Sequence, residues 1–144
     1  VKLDLAASGN SELLWSSQNQ SDNAPITDTV FLHVLESYSS LCGHGFDFDQ
    51  YRTRSPIVNR SNVAERANVL LALARQWAQQ TAAGRGVYGK SIVMLPWGGD
   101  FRWQNGSFYY GNMSFIMDYV NTNSVSLQAS LRYATPSEYF AALR

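Results

Sequence analysis

The spacing of apolar residues predicts two short strands and a long loop in the first 60 residues. Apolar residues cluster at positions 13–15 and again at 30–35, with a polar stretch between the two clusters. Short apolar runs bounded by polar segments are typical of strands. The segment 36–60 is rich in Ser, Gly, Asp, Arg and Pro and has little periodicity. We predict a long irregular loop there, and loops of that length in compact domains often carry function.

A helix and then a buried strand are predicted between residues 62 and 96. Asn62 and Glu65 have the spacing of a capping box, and the apolar residues that follow repeat at helical spacing as far as Ala78. The next apolar run, at 92–95, is compact and is ended by Pro96. Such a run is expected of a strand that is buried on both faces.

The remaining residues predict a second helix, a strand and a last helix. Apolar residues repeat at helical spacing over 109–120, and apolar and polar residues alternate over 125–133, which is the pattern of a strand with one wetter face. Thr135, Pro136 and Glu138 have the spacing of a capped helix start. The order helix, strand, helix, strand, helix is typical of an α/β fold with a parallel sheet.

The composition narrows the classes of partner. Eleven basic residues balance eleven acidic residues in a chain of 144, and lysine and arginine form no cluster. Because a nucleic-acid-binding surface needs such a cluster, nucleic acid is not an expected partner. No stretch is apolar enough to span a membrane, and the sequence opens without a signal peptide, so a secretory signal would have to lie upstream. The four tryptophans are of the kind that also stack on sugar rings.

The single cysteine and the glycosylation motifs bear on the compartment. Cys42 cannot form a disulfide within the chain, so it is either a buried thiol or half of a bridge to an absent partner. Asn-X-Ser motifs begin at Asn19, Asn59, Asn105 and Asn112. They suit a secreted or lysosomal protein, although a chain this rich in Asn and Ser contains some by chance.

Asp100 is the main candidate for a catalytic residue. It follows the predicted strand 92–95 and two glycines, and α/β folds place catalytic groups just past the carboxyl ends of their strands. Trp97, Phe101 and Trp103 are its apolar neighbours in sequence. They could raise the pKa of its carboxyl group by desolvation, as a general acid requires. The structural alternative is an aspartate that caps a turn before a helix.

A second group of reactive side chains lies in the predicted loop. Residues 42–49 supply a thiol, an imidazole and two carboxylates, which are all metal-ligand types, but their spacing matches no established zinc site. An irregular loop is the preferred interpretation. His33 lies in an apolar segment and is interpreted as a buried structural histidine rather than a base.

Four segments occur in the order typical of one enzyme family. They are the helix opening at 62–67, the segment 92–103 that ends in Gly-Gly-Asp-Phe-Arg-Trp, and residues 117–121 and 134–139. In these segments the chain resembles the lysosomal and Golgi α-mannosidases of glycoside hydrolase family 38. The resemblance implies part of a (β/α) barrel-like, parallel-sheet catalytic domain with flanking helices. Residues 1–60 would form strands and a long active-site loop, and residues 61–144 the helix-strand-helix-strand-helix part of the same domain.

The resemblance also implies roles for individual residues. The family's general acid/base corresponds to Asp100, and Tyr38 is the nearest match to a tyrosine that contacts substrate. Phe101 and Arg102 belong to the same motif and are assigned to substrate binding in support of Asp100. Gly99 stands where some relatives have a second acid. The family's Zn²⁺ would be bound by ligands outside this chain, and cysteine-bridged loops in relatives suggest a class of partner for Cys42.

Together these observations predict part of a retaining α-mannosidase that removes terminal α-linked mannose from glycans in a lysosomal or other secretory-pathway compartment. The expected partners are mannose-containing glycans and the rest of the α-mannosidase polypeptide, and the isolated chain is expected to be inactive. One alternative is a carbohydrate-binding module that uses Trp97, Trp103 and Tyr109 as stacking platforms. The other is a structural segment of a degenerate, non-catalytic relative.

Overall fold

Helices make up most of the regular structure. The computed structural model describes residues 12–16, 29–33, 41–48, 55–81, 84–86, 91–99, 102–103 and 105–143. The elements in chain order are β1 (Glu12–Ser16), β2 (Thr29–His33), a short π-helical turn (Cys42–Phe46), α1 (Val63–Ala78), α2 (Gly106–Thr122), α3 (Ser124–Leu127) and α4 (Pro136–Ala142). No helix among the described residues has both the length and the apolar character needed to cross a lipid bilayer.

The first two strands form an antiparallel pair. Strands β1 and β2 are in register with Leu14 opposite Phe31 and with Glu12 opposite His33. The prediction of two short strands in this part of the chain is therefore confirmed.

The predicted parallel sheet is wrong. Within the described ranges the sheet consists of β1 and β2 alone, and this pair is antiparallel. Residues 91–95 belong to no helix or strand, and residues 125–133 begin in helix α3 and continue through Gln128, whose φ is 49°. The described part of the chain is thus helical with one two-stranded antiparallel sheet, and the (β/α) barrel-like architecture is not what it forms.

The segment after α3 shows why an alternating pattern gave a wrong prediction of a strand. Leu127, Ala129 and Leu131 are half-buried against the core and the residues between them are exposed, as the alternation predicted, whereas Val125 and Tyr133 at its two ends are exposed. The backbone of Leu131, however, bonds to a side chain. Its N–H donates to Oδ1 of Asn121 at 2.8 Å, and its carbonyl accepts from Nδ2 of Asn121 at 2.9 Å. Since this amide satisfies both backbone groups, alternate burial did not require a neighbouring strand.

Helix α1 was predicted correctly, but its cap was not. Oδ1 of Asn62 accepts from the backbone N–H of Asn59 at 2.8 Å, and Nδ2 of Asn62 donates to the carbonyl of Ile57 at 2.9 Å. The Asn62 side chain is therefore occupied by preceding residues and makes no capping bond to the helix. The other predicted cap is confirmed, because Thr135 and Glu138 form a reciprocal capping box at the start of α4.

The core lies between α1, α2 and the π-helical turn. Its fully buried side chains are Phe46, Phe48, Leu70, Tyr109, Ile116 and Val120. Each large apolar side chain removed from water in this way stabilises the fold by about 1.5–3 kcal/mol. The buried amide of Asn112 adds a polar link, because its Oδ1 accepts from the backbone N–H of Val58 at 2.7 Å. Helix α2 is thereby fixed to the segment that precedes α1.

Candidate functional site

The structure describes the residues on either side of the predicted catalytic motif. Asp100, Phe101 and Tyr38 lie outside the described residues, so their roles stay predictions. Gly99 precedes and Arg102 follows the first two, and the backbone N–H of Arg102 donates to the carbonyl of Gly99 at 3.3 Å. The two ends of the loop that contains Asp100 are therefore joined.

An ion pair holds the second end of this loop. Nη1 of Arg102 bonds to Oδ2 of Asp47, which directly follows the π-helical turn. The Asp47 side chain is only 12% exposed and that of Arg102 32%, so water screens the pair less than it would screen a surface pair. A charge-assisted hydrogen bond of this kind is stronger than one between neutral groups.

Asp47 also contacts two other parts of the chain. The hydroxyl of Tyr109 on α2 donates to Oδ1 of Asp47, and the backbone N–H of Asp47 donates to Oγ of Ser55 at 3.0 Å. From the sequence, Asp47 was predicted only as a metal-ligand type, and this role was missed. The available signal was its place between Phe46 and Phe48, because an acid buried with its apolar neighbours needs a partner.

The turn that carries Asp47 is itself fastened to α1. The guanidinium of Arg66 lies 4.6 Å from the centroid of the Phe46 ring, and its Nη2 donates to the carbonyl of Gly45. Arg66 is buried, and this desolvation lowers the pKa of its guanidinium from its ordinary value. The path from α1 to the Asp100 loop therefore runs through Arg66, the turn, Asp47 and Arg102.

Aromatic rings from both sides of this motif in the sequence pack on one another. Trp97 and Trp103 meet edge to face with ring centroids 4.4 Å apart, and Trp103 stacks on Tyr109 at 4.7 Å. Nε1 of Trp97 also donates to the carbonyl of Phe46 at 2.8 Å. Trp103 has a φ of 66°, which is rare for a bulky residue and persists only where packing holds it.

Gly99 allows the Arg102 side chain to lie against the loop backbone. A Cβ atom at Gly99 would come within 3.3 Å of Cγ of Arg102 and would require that side chain to move.

The rings predicted as a sugar platform are used for packing. Tyr109 is 1% exposed, so it offers no face to a sugar, and Trp97 and Trp103 are half-buried against each other and against Tyr109. Tyr110 and Tyr133 are about half exposed instead, with ring centroids 5.3 Å apart. The sequence analysis did not single out this second pair.

Cys42 and His44 have structural surroundings. Burial, and then the charge of Asp47, raises the pKa of the Cys42 thiol to about 11, so the thiol stays protonated and unreactive at neutral pH. The His44 ring packs edge-on against Trp77 at 5.6 Å. In the described ranges no three His, Cys, Asp or Glu side chains come together as a metal site. The described residues therefore do not fit the zinc ion that the resemblance implies, and the side chain of His33 lies outside what the structure describes.

Comparisons with known proteins agree on one family. The model of the glycosyl hydrolases family 38 N-terminal domain matches residues 2–144. The chain is 38% identical to alpha-mannosidase B of Dictyostelium discoideum over 96 residues, which cover 67% of this chain and 8% of that protein. It is 31% identical to the epididymis-specific alpha-mannosidase of Homo sapiens over 134 residues, which cover 79% of this chain and 13% of that protein.

A third relative extends the match along the chain. Alpha-mannosidase C of Dictyostelium discoideum is 26% identical over 139 residues, which cover 90% of this chain and 12% of that protein. The chain thus spans about an eighth or less of the length of these relatives. Because the family model covers nearly every residue, the chain belongs to glycosyl hydrolase family 38, within the family's N-terminal domain.

Proposed function

We propose that this chain is part of a retaining α-mannosidase that removes terminal α-linked mannose from glycans, and that it supplies the general acid/base Asp100. The observation that carries the proposal is the anchoring of the loop around Asp100. Arg102 is paired with Asp47, and Trp97 and Trp103 are packed on Tyr109. A general acid has to be held in place relative to the leaving oxygen, and rigid support of this kind favours that task.

In the proposed reaction Asp100 acts twice. It first protonates the departing glycosidic oxygen while a carboxylate elsewhere in the polypeptide attacks the anomeric carbon and forms a covalent intermediate. It then removes a proton from the water that releases mannose. The apolar bodies of Trp97 and Trp103 at the ends of the loop would raise the pKa of Asp100 by desolvation, so that it carries a proton in the first step.

Tyr38 and Phe101 are proposed to contact the substrate. Arg102 was assigned to the same group, and its ion pair with Asp47 supports a share in positioning the loop as well. The rest of its guanidinium is partly exposed and can donate to a sugar hydroxyl, since the fork carries five N–H donors. A non-catalytic relative with the same fold would have the same contacts, so the activity of the complete polypeptide has to be measured directly.

Zinc is proposed for the complete enzyme, with ligands outside this chain. Bound zinc would act as a Lewis acid that holds and polarises substrate oxygens. The described residues bring together no group of three His, Cys, Asp or Glu side chains. We propose that this chain contributes acid/base chemistry and substrate contacts, and that the metal ligands lie elsewhere in the polypeptide.

The test is Asp100→Asn in the complete polypeptide. We expect hydrolysis of ordinary mannosides to fall by about 10²–10⁴-fold, which is the usual contribution of a general acid/base. Formation of the glycosyl-enzyme from substrates with activated leaving groups should be spared, because such groups depart without protonation. Asp118→Asn is the matched control, since Asp118 is an exposed acid on α2. Unchanged turnover of ordinary mannosides in Asp100→Asn would remove Asp100 from the mechanism.

A lysosomal or other secretory-pathway compartment is proposed for this protein. A lysosomal alpha-mannosidase of Dictyostelium discoideum is 29% identical over 133 residues, which supports this compartment without deciding it. The Asn-X-Ser motifs give the proposal a chemical consequence, because such motifs are glycosylated only along the secretory route. Fractionation of cells that express the complete protein, with lysosomal and cytosolic markers, tests the compartment directly.

A further inference from the structure

The four Asn-X-Ser motifs of the sequence differ in how the folded chain uses their asparagines. Asn19 lies outside the described residues. Asn105 is half-buried and caps α2, where its Oδ1 accepts from the backbone N–H of Phe108 at 3.3 Å. Asn112 is 5% exposed and Asn59 is exposed. Exposure matters because an N-linked glycan is bulky and has to project into solvent.

Asn112 has no room for a glycan. Its Nδ2, the atom that a glycan would modify, donates to the carbonyl of Phe108 at 2.8 Å, and its Oδ1 accepts from the buried N–H of Val58. Attachment of a sugar would break the first bond and force the side chain out of the core. Asn112 is therefore a structural residue whose motif is fortuitous.

Asn59 presents the opposite arrangement. Its Oδ1 accepts from the backbone N–H of Ser61 at 2.8 Å and from Oγ of Ser61 at 2.6 Å. The asparagine and the hydroxyl residue of the motif thus lie side by side on the surface, and Arg60 between them is also exposed. No described residue accepts a hydrogen bond from Nδ2 of Asn59, so this nitrogen can be substituted without breaking a contact in the described part of the chain.

The backbone around Asn59 is fixed by other groups. Its N–H donates to Oδ1 of Asn62, and its carbonyl accepts from the N–H groups of Asn62 and Val63 at 3.2 and 2.9 Å. A glycan on Nδ2 would leave these bonds intact. It would be carried by an exposed residue of the segment that precedes α1.

We propose that Asn59 is an N-glycan acceptor of this protein and that Asn112 is not. The inference rests on the proposed secretory compartment. The donor would be an oligosaccharide linked to a polyprenyl pyrophosphate. Nδ2 of Asn59 forms a bond to the anomeric carbon, the bond from that carbon to the pyrophosphate oxygen breaks, and the amide loses one proton as the lipid pyrophosphate leaves.

For the experiment, the full chain is expressed in eukaryotic secretory cells with a signal sequence added at its N-terminus. Enzymatic removal of N-glycans converts a modified asparagine to aspartate, and mass spectrometry of tryptic peptides then locates the site. Cleavage after Arg54 and Arg60 isolates Asn59 as the one motif asparagine of peptide 55–60. Because the signal is supplied, this result does not depend on where the natural protein resides or on whether it hydrolyses mannosides.

The variants separate the motif from the fold. Asn59→Gln and Ser61→Ala should both lose the modification of peptide 55–60, whereas Ser61→Thr, which keeps the hydroxyl, should retain it. The peptide can be read from retained as well as secreted protein, so a folding defect does not hide the result. An unmodified peptide 55–60 in the unsubstituted chain, or a glycan on Asn112 of the secreted chain, would overturn the proposal.

Discussion

Three parts of the chain meet at Asp47. Its carboxylate bonds to Arg102 at the end of the Asp100 loop and to Tyr109 on α2, and its backbone N–H bonds to Ser55. Removal of one partner of a shielded ion pair leaves the other without compensation, which costs more than the pair itself contributes. Asp47 is therefore the residue through which a change distant in sequence can reach the loop of Asp100.

Asp47→Asn should destabilise the chain and loosen this loop. The amide keeps an acceptor for Tyr109 but loses the charge that attracts Arg102. Since Arg102 is about one third exposed and can turn to water, we expect a loss of about 1–3 kcal/mol in the free energy of unfolding. Urea unfolding of the variant and of the unsubstituted chain measures this loss.

The control for Asp47→Asn is the same substitution at Asp118, which is exposed on α2. Its effect should stay within about 0.5 kcal/mol, as is usual for a surface substitution. If both variants lost equal stability, the contacts of Asp47 would have no particular importance.

Cys42 should be protected from alkylation in the folded chain. Its pKa of about 11, against an ordinary value of 9.0, implies a thiolate fraction at neutral pH that is lower by about a hundredfold than in the unfolded chain. The rate of reaction with iodoacetamide, with and without urea, measures this protection. Equal rates in the two states would show that the thiol is accessible.

The same thiol makes stability depend on alkaline pH. Between pH 9.0 and about 11 the unfolded chain releases the Cys42 proton while the folded chain keeps it. Loss of this proton stabilises the unfolded state relative to the folded state, so the free energy of unfolding falls as pH rises through this window. A Cys42→Ala variant should lack this part of the decline, and a decline of identical size in the variant would assign it to other groups.

Among the secondary-structure elements, α2 carries two asparagines whose side chains form hydrogen bonds to backbone groups that strands or turns usually satisfy. Asn112 satisfies the buried N–H of Val58, and Asn121 satisfies both backbone groups of Leu131. The first contact is buried and the second is exposed, so water can substitute for Asn121 but not for Asn112.

Asn112→Ala should therefore cost more than Asn121→Ala. The first leaves a buried donor unsatisfied and should lower the free energy of unfolding by about 1–3 kcal/mol, and the second by less than about 1 kcal/mol. Thermal and urea unfolding of the two variants give the comparison. A larger effect at Asn121 would indicate that the segment after α3 depends on its side-chain amide more than exposure suggests.

At the scale of the whole molecule, the chain is a small part of a large enzyme family. It covers 8–13% of the length of the relatives described above. Retaining hydrolysis needs two carboxyl groups about 5 Å apart, and the proposal gives this chain only the acid/base.

The isolated chain should accordingly show no turnover of aryl α-mannosides, whereas the complete polypeptide should hydrolyse them. Both are measured by release of the aryl group, with a reaction that contains no protein as the control for background. Turnover by the isolated chain at a rate well above that control would place a second catalytic carboxylate within these 144 residues.

The pattern of the sequence was enough to predict helices α1, α2 and α4 and the family. Helices α1 and α2 repeat apolar residues at helical spacing, and this local pattern also decides which face is buried. The capping box at Thr135 was predictable for the same reason, since its bonds join residues three positions apart. The four segments that occur in the order typical of family 38, including residues 92–103, identified the family before any contact was known.

The hydrogen-bond partners of the segments that were predicted as strands, and of the buried polar groups, depend on the tertiary structure. Residues 92–95 and 125–133 have strand patterns, but pairing depends on partners distant in sequence, and at Leu131 the partner is the side chain of Asn121. The link between Asp47 and Arg102 joins residues 55 positions apart. Local spacing placed Asp100 in a family motif. Long-range contacts hold the residues on either side of it, because a buried charge such as that of Asp47 is stable only where folding brings a partner of opposite charge to it.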